Sequence, residues 1–193
     1  MVNRTSKSRD TRSDLQSAAI RLGVRDGLHA ASIRVIAREA GVTEGAVYKH
    51  FDNKDDLIRE AYASVVLEMA RDKATLVRAD IPFESALRAW VQFTYEYFDS
   101  NKDAFTYVLL MPHRMAEKLG EVYSVQGKLF CELISNAQKK GEIPEMDPML
   151  ATAMVSGCVL NIPRLINEGN LEAPAEQYTD RVAKAAIRIL RSQ

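Results

Sequence analysis

The chain has few of the features that mark a secreted, metal-stapled or catalytic protein. Its 193 residues include two cysteines, Cys131 and Cys158, too few for a disulfide framework. They are expected to be buried thiols in a reducing cytoplasm. The three histidines, His29, His50 and His113, lie in different regions, none at metal-ligand spacing from another. Gly41 and Gly45 lack the Lys-Ser/Thr that a phosphate-binding loop requires, and no GxSxG elbow occurs. An enzyme is therefore not expected, and neither a metal nor a cofactor is implied. Residues 1–14 are polar and basic without an apolar stretch, unlike a signal peptide. No run is expected to reach the ~20 apolar residues of a membrane span, so no membrane partner is expected. Alternating strand patterns, hairpin dipeptides, internal repeats and low-complexity tracts are missing as well.

What is present describes an ordinary globular chain, 47% apolar and 27% charged, long enough to bury a core without staples. Formal net charge is zero, but it is unevenly placed. Through Lys54 there are ten basic and six acidic residues, a net of +4, which leaves −4 on the remainder. A basic head on an acidic body suits a reader of nucleic acid with a separate second domain.

Residues 32–51, SIRVIAREAGVTEGAVYKHF, carry the strongest local signal. Ile33, Ile36, Ala37 and Ala40 form one apolar helical stripe. Ser32 stands where an N-cap belongs, and Gly41 where a C-cap tolerates positive φ. Thr43 then caps a second helix, with Ala46 and Val47 facing inward. That is a helix-turn-helix, whose second helix fits a DNA major groove. The groove-facing start of that helix offers Thr43, Glu44, Gly45 and Ala46 to base edges. Glu44 suits a cytosine amine, Thr43 or Ala46 a thymine methyl, and Gly45 permits close approach. Tyr48, Lys49, His50 and Lys54 are placed for phosphates, with Ser32 and Arg34 clamping the other side. Tyr48 has an alternative role as a cover for the small head core, and His50 as a structural hydrogen-bonder. Arg4, Lys7, Arg9 and Arg12 belong to an expected flexible basic arm over residues 1–12.

Residues 12–60 resemble the TetR family of bacterial transcriptional regulators. The matching positions are Leu15, Ala18, Ala19 and Leu22, then Ser32, Ile36, Ala37, Ala40, Gly41, Val42, Gly45, Tyr48, His50, Phe51, Lys54 and Leu57, in order and at preserved spacing. Gly23 departs from the pattern, since the family usually places a large apolar residue there. The resemblance implies backbone-phosphate contact by Tyr48 and Lys54, double-stranded palindromic operator DNA as partner, and a C-terminal domain that binds a small apolar or amphipathic effector and dimerises. It also implies a repressor released from its operator by that effector.

Helical periodicity continues to the end. An all-α chain of about nine helices is expected, at roughly 13–26, 32–40, 43–50, 53–79, 82–99, 101–111, 117–140, 147–162 and 174–191. Ser13 is the expected cap of the first helix, Asn53 of the fourth and Asp147 of the eighth, with Pro163 near its end. Residues 1–54 form the expected DNA-binding domain and 55–193 the effector and dimerisation domain. Candidate pocket residues, on the resemblance, are Trp90, Phe93, Tyr97, Phe105, Met111, His113, Met154 and Cys158, each of which also suits plain core. A homodimer is expected through Ala151, Ala153 and Gly157 on the eighth helix and Val182, Ala186 and Ile189 on the ninth. The alternative reading is an architectural or protein-partnered DNA-binding factor without a small ligand.

Overall fold

The computed structural model describes residues 10–27, 32–110 and 116–192. Among them there is no strand. The expected arm at Arg4, Lys7 and Arg9, as well as His29, Met111 and His113, lie outside the described residues.

Helix α1 (Thr11–Asp26) begins earlier than Ser13 implies, because Asp10 is its cap. The Asp10 carboxylate accepts from the backbone N–H groups of Arg12 (3.2 Å) and Ser13 (3.4 Å), and its charge suits the positive end of the helix dipole. Arg12 is consequently part of a helix and not of a flexible arm. Its guanidinium ion-pairs with Glu60, donates to the His50 carbonyl at 3.1 Å and lies 4.9 Å from the Phe51 ring centroid. Helix α2 (Ile33–Ala40) is capped by Ser32, whose Oγ accepts from Val35 N at 3.3 Å. Gly41 then turns left-handed at φ 69°, which lets its own N–H and that of Val42 reach back to the Arg38 and Ala37 carbonyls. Helix α3 (Glu44–Val47) is a single turn capped by Thr43, and residues 48–50 continue it as turns. Leu15, Leu22, Ile36, Val47, Phe51 and Leu57 close the head core.

Helix α4 (Lys54–Arg78), capped by Asn53, ties head to body. Leu57 belongs to the head core and Ile58, one residue on, to the body core. The expected boundary after Lys54 therefore falls at the start of a continuous helix that both cores share. The body adds α5 (Phe83–Ser100), α6 (Lys102–Leu110), α7 (Ala116–Leu119), α8 (Val125–Lys139), α9 (Pro148–Asn167) and α10 (Thr179–Arg191). The expected seventh helix is broken into α7 and α8 by a 3-10 turn, Gly120–Ser124, where Gly120 takes φ 61°. A second 3-10 turn, Ala175–Tyr178, leads into α10.

Two further expectations change. Pro163 does not end α9, which runs four residues beyond it. Proline removes the N–H that would bond to the Val159 carbonyl, and that carbonyl instead accepts from the buried Tyr95 hydroxyl at 3.2 Å. And α9 is, by length and composition, long and apolar enough to cross a membrane, with only a third of that stretch buried. Here it packs on α8 and α10 and leaves an apolar face uncovered.

Candidate nucleic-acid interface and ligand cavity

The start of α3 stands clear of the body of the head. Thr43, Glu44 and Gly45 are exposed and Ala46 is half-buried, while Val47 is fully enclosed. A Cβ added at Gly45 meets nothing closer than Thr43 Oγ1 at 3.9 Å. Internal packing thus gives no reason for glycine, which costs a helix up to ~1 kcal/mol relative to alanine. The Thr43 Oγ1 accepts from Ala46 N at 3.3 Å, so its methyl and its O–H donor remain for a partner. Tyr48 is 58% exposed and is not a cover for the head core; Phe51 fills that place at 2%. Lys49, Ser32 and Arg34 are exposed, and His50 and Lys54 half-buried. Arg34 and Lys49 make no ion pair within the described residues, which leaves two cations flanking α3 for anions in solution.

Behind the head, α4, α5, α6, α8 and α9 enclose a cavity of about 150 Å³. Trp90 and Phe105 line it as expected, and Trp90 meets Phe130 edge-to-face at 5.0 Å. Four of the expected residues do not line it. Phe93 and Tyr97 point into an outer groove between α4 and α5, where the Tyr97 hydroxyl donates to Glu68 Oε2 at 2.9 Å. Met154 and Cys158 are half-buried on α9, but its cavity face is Val155, Ser156, Val159 and Leu160, one helical position further on. Tyr62, Lys73, Tyr123 and Gln126 complete the polar part of the wall and were not among the sequence candidates. Lys73 is 4% exposed, and desolvation pulls its pKa down to about 7. Burial pushes Tyr62 up to about 12. A signal for Lys73 did exist: it continues the apolar stripe of Leu57, Ala61, Val65 and Met69 at the next i+4 position.

The expected dimer residues also divide. Ala151, Val182 and Ala186 are buried inside the chain's own core, because the small-residue stripe of α10 packs on α5. Ala153 and Gly157 are exposed on α9, and Ile189 is half-buried. Exposed Met149, Leu150 and Leu160 share that side of α9, beside an open groove of about 500 Å³ lined in part by Gly157, Leu160 and Arg164. Both cysteines are free and half-buried. Among the described residues, no three metal-ligating side chains gather at one point.

The sequence model described as "Bacterial regulatory proteins, tetR family" matches residues 15–61, from α1 to the second turn of α4. The head is therefore of the TetR type. The repressor KstR2 of Rhodococcus jostii is 29% identical over 100 residues, 52% of this chain and 49% of that protein. The match thus spans about half the length of that relative. The fatty acid degradation regulator FadR of Bacillus halodurans superposes with a TM-score of 0.83 at 20% identity, over 96% of this chain and 99% of that one. The transcriptional regulator FadR of Bacillus subtilis, in complex with stearoyl-CoA, superposes at 0.80 and 17% identity over 91% and 97%. The TetR fold therefore extends through the body as well as the head. The family match stops at residue 61, before the first residue of α4 that lines the cavity.

Proposed function

We propose that this chain is a sequence-specific DNA-binding transcriptional repressor that acts as a two-fold dimer and leaves its operator when a small apolar or amphipathic molecule fills the cavity. One observation carries the reading: α4 both seats the head, through Leu57, and walls the cavity, through Tyr62, Val66, Met69 and Lys73. Helix α6 makes a second link. Phe105 and Leu109 line the cavity, and Tyr107 between them donates to the Ile58 carbonyl of α4 at 3.4 Å. A ligand that shifts either helix changes where the head sits, and so the spacing of two heads on a palindrome. The presence of a cavity favours this reading over a factor without a ligand.

Thr43, Glu44, Gly45 and Ala46 read bases, and Tyr48, Lys49, His50, Lys54, Ser32 and Arg34 grip the backbone. The dimer forms through the exposed face of α9, whose Met149, Leu150, Ala153, Gly157 and Leu160 recur at helical spacing. Selection of bound fragments from genomic DNA, followed by mobility shifts on operator variants, tests the reading. Tyr48→Ala is expected to weaken binding to all sequences alike, and changes at Thr43 or Glu44 to alter base preference. A Tyr48→Ala protein with altered preference and intact affinity would contradict these assignments.

A further inference from the structure

A lysine side chain normally carries its ammonium out to water on a four-carbon stem. Lys73 does not: it is 4% exposed and ends in the cavity wall. Among the described residues its partners are the Gln126 side-chain oxygen at 3.1 Å and the face of Trp90, with Nζ 4.8 Å from the ring centroid. Gln126 is held in place, since its Nε2 donates to the Val66 carbonyl at 3.0 Å. No carboxylate and no histidine among the described residues lines the cavity, and the other titratable groups on its wall are Tyr62 and Tyr123. An amide oxygen and a ring face hold an ammonium less well than a carboxylate does. The fall of the lysine pKa to about 7 fits that shortfall. An amine with no anionic partner among the described residues thus stands against apolar walls from α5, α6 and α8.

We propose that the cavity takes a small organic acid, an aromatic or short-chain carboxylate, whose carboxylate pairs with Lys73 and whose apolar part packs on Trp90, Phe105 and Phe130. The proposal rests on the ligand-responsive reading above and names its ligand class. The accessible space of about 150 Å³ suits a ligand of roughly benzene's size. A stearoyl chain is several times bulkier, and its thioester end offers no anion to a buried ammonium. The free acid and not the acyl-CoA is the form that meets Lys73.

Trp90 is the only tryptophan of the chain and so reports directly on the cavity. Its fluorescence is titrated with benzoate and hexanoate, with the neutral benzamide and hexanamide, and with stearoyl-CoA. The expected result is saturable binding of at least one acid, with its amide weaker by about tenfold or more. In Lys73→Met that preference is expected to disappear while operator binding without ligand persists, which shows that the variant is folded. Amides that match their acids in the native protein overturn the proposal without recourse to any variant. So do the absence of a signal from either acid, benzoate binding unchanged in Lys73→Met, or a signal from stearoyl-CoA alone. A mobility shift with the same probes separates the two readings. Acids that bind through Lys73 but never release DNA leave the site standing and remove its regulatory role. Release by a neutral compound, indifferent to Lys73, does the reverse.

Discussion

Lys73→Met replaces a buried ammonium by an apolar side chain of similar length, and its effect on stability has a pH signature. In the unfolded chain Lys73 titrates near the ordinary 10.5; in the folded protein burial brings it to about 7. Between these values the unfolded state holds a proton that the folded state has lost, so stability rises with pH across this window. Below about pH 7 both states are protonated and the full cost of enclosing the charge applies, on the order of 5 kcal/mol at about 1.4 kcal/mol per pH unit. Raising the pH from 7 to 9 relieves roughly 2 kcal/mol of that cost. The native protein is therefore expected to gain about 2 kcal/mol more than Lys73→Met over this interval, and the variant to be the more stable of the two at pH 6. Urea unfolding at pH 6, 7 and 9, at one protein concentration so that dimerisation cancels, measures the difference. Other groups that titrate in the window cancel between the two proteins. Parallel pH profiles would refute the reasoning, because they require Lys73 to be hydrated or paired in the folded state.

Three further outcomes follow from the packing. Gly45→Ala is expected to leave the fold unharmed, or stabilise it by up to ~1 kcal/mol, since the new Cβ meets nothing nearer than 3.9 Å. Operator affinity is expected to drop by about tenfold or more in mobility shifts, as the methyl keeps α3 from the groove. Arg12→Ala is expected to lower the urea midpoint, at a cost of about 1 kcal/mol, because it removes the contacts to Glu60, His50 and Phe51 that pin α1 across the head. Leu150→Glu, placed on the uncovered face of α9 away from the cavity, is expected to yield a monomer by sedimentation at micromolar concentration, whereas a charge there on a chain that dimerises elsewhere leaves the dimer intact.

The head was readable because its signals are local. Ser32, Gly41, Thr43 and Asn53 cap helices through bonds that span at most five residues, so their spacing alone discloses them. For Tyr48 the sequence left a surface and a core position open, and it stands exposed because Phe51 fills the core. The cavity was only half legible. Trp90 and Phe105 lie on it, but Phe93, Tyr97, Met154 and Cys158 are turned elsewhere by their helix positions, and large residues look alike in sequence whether they line a void or fill a core. Lys73, close behind Arg71 and Asp72, has the local composition of a solvated face. Only the enclosure by α5 and α8 shows otherwise.

The fate of Pro163 and of the α10 stripe marks the same division. Composition and periodicity determine that the described residues form helices without strands, where most helices begin, and that residues 32–51 make a helix-turn-helix, since hydrogen bonds within a few residues suffice for each. Whether Pro163 breaks a helix depended on Tyr95, 68 positions earlier in the chain, reaching the orphaned Val159 carbonyl. Whether Val182 and Ala186 face a partner or the interior depended on α5, which packs on α10 and covers them. An apolar stripe specifies that a face must be buried, not against what. That choice belongs to the packing of segments far apart in sequence, and it is the packing that turned Lys73 from a surface charge into the one cation on the cavity wall among the described residues.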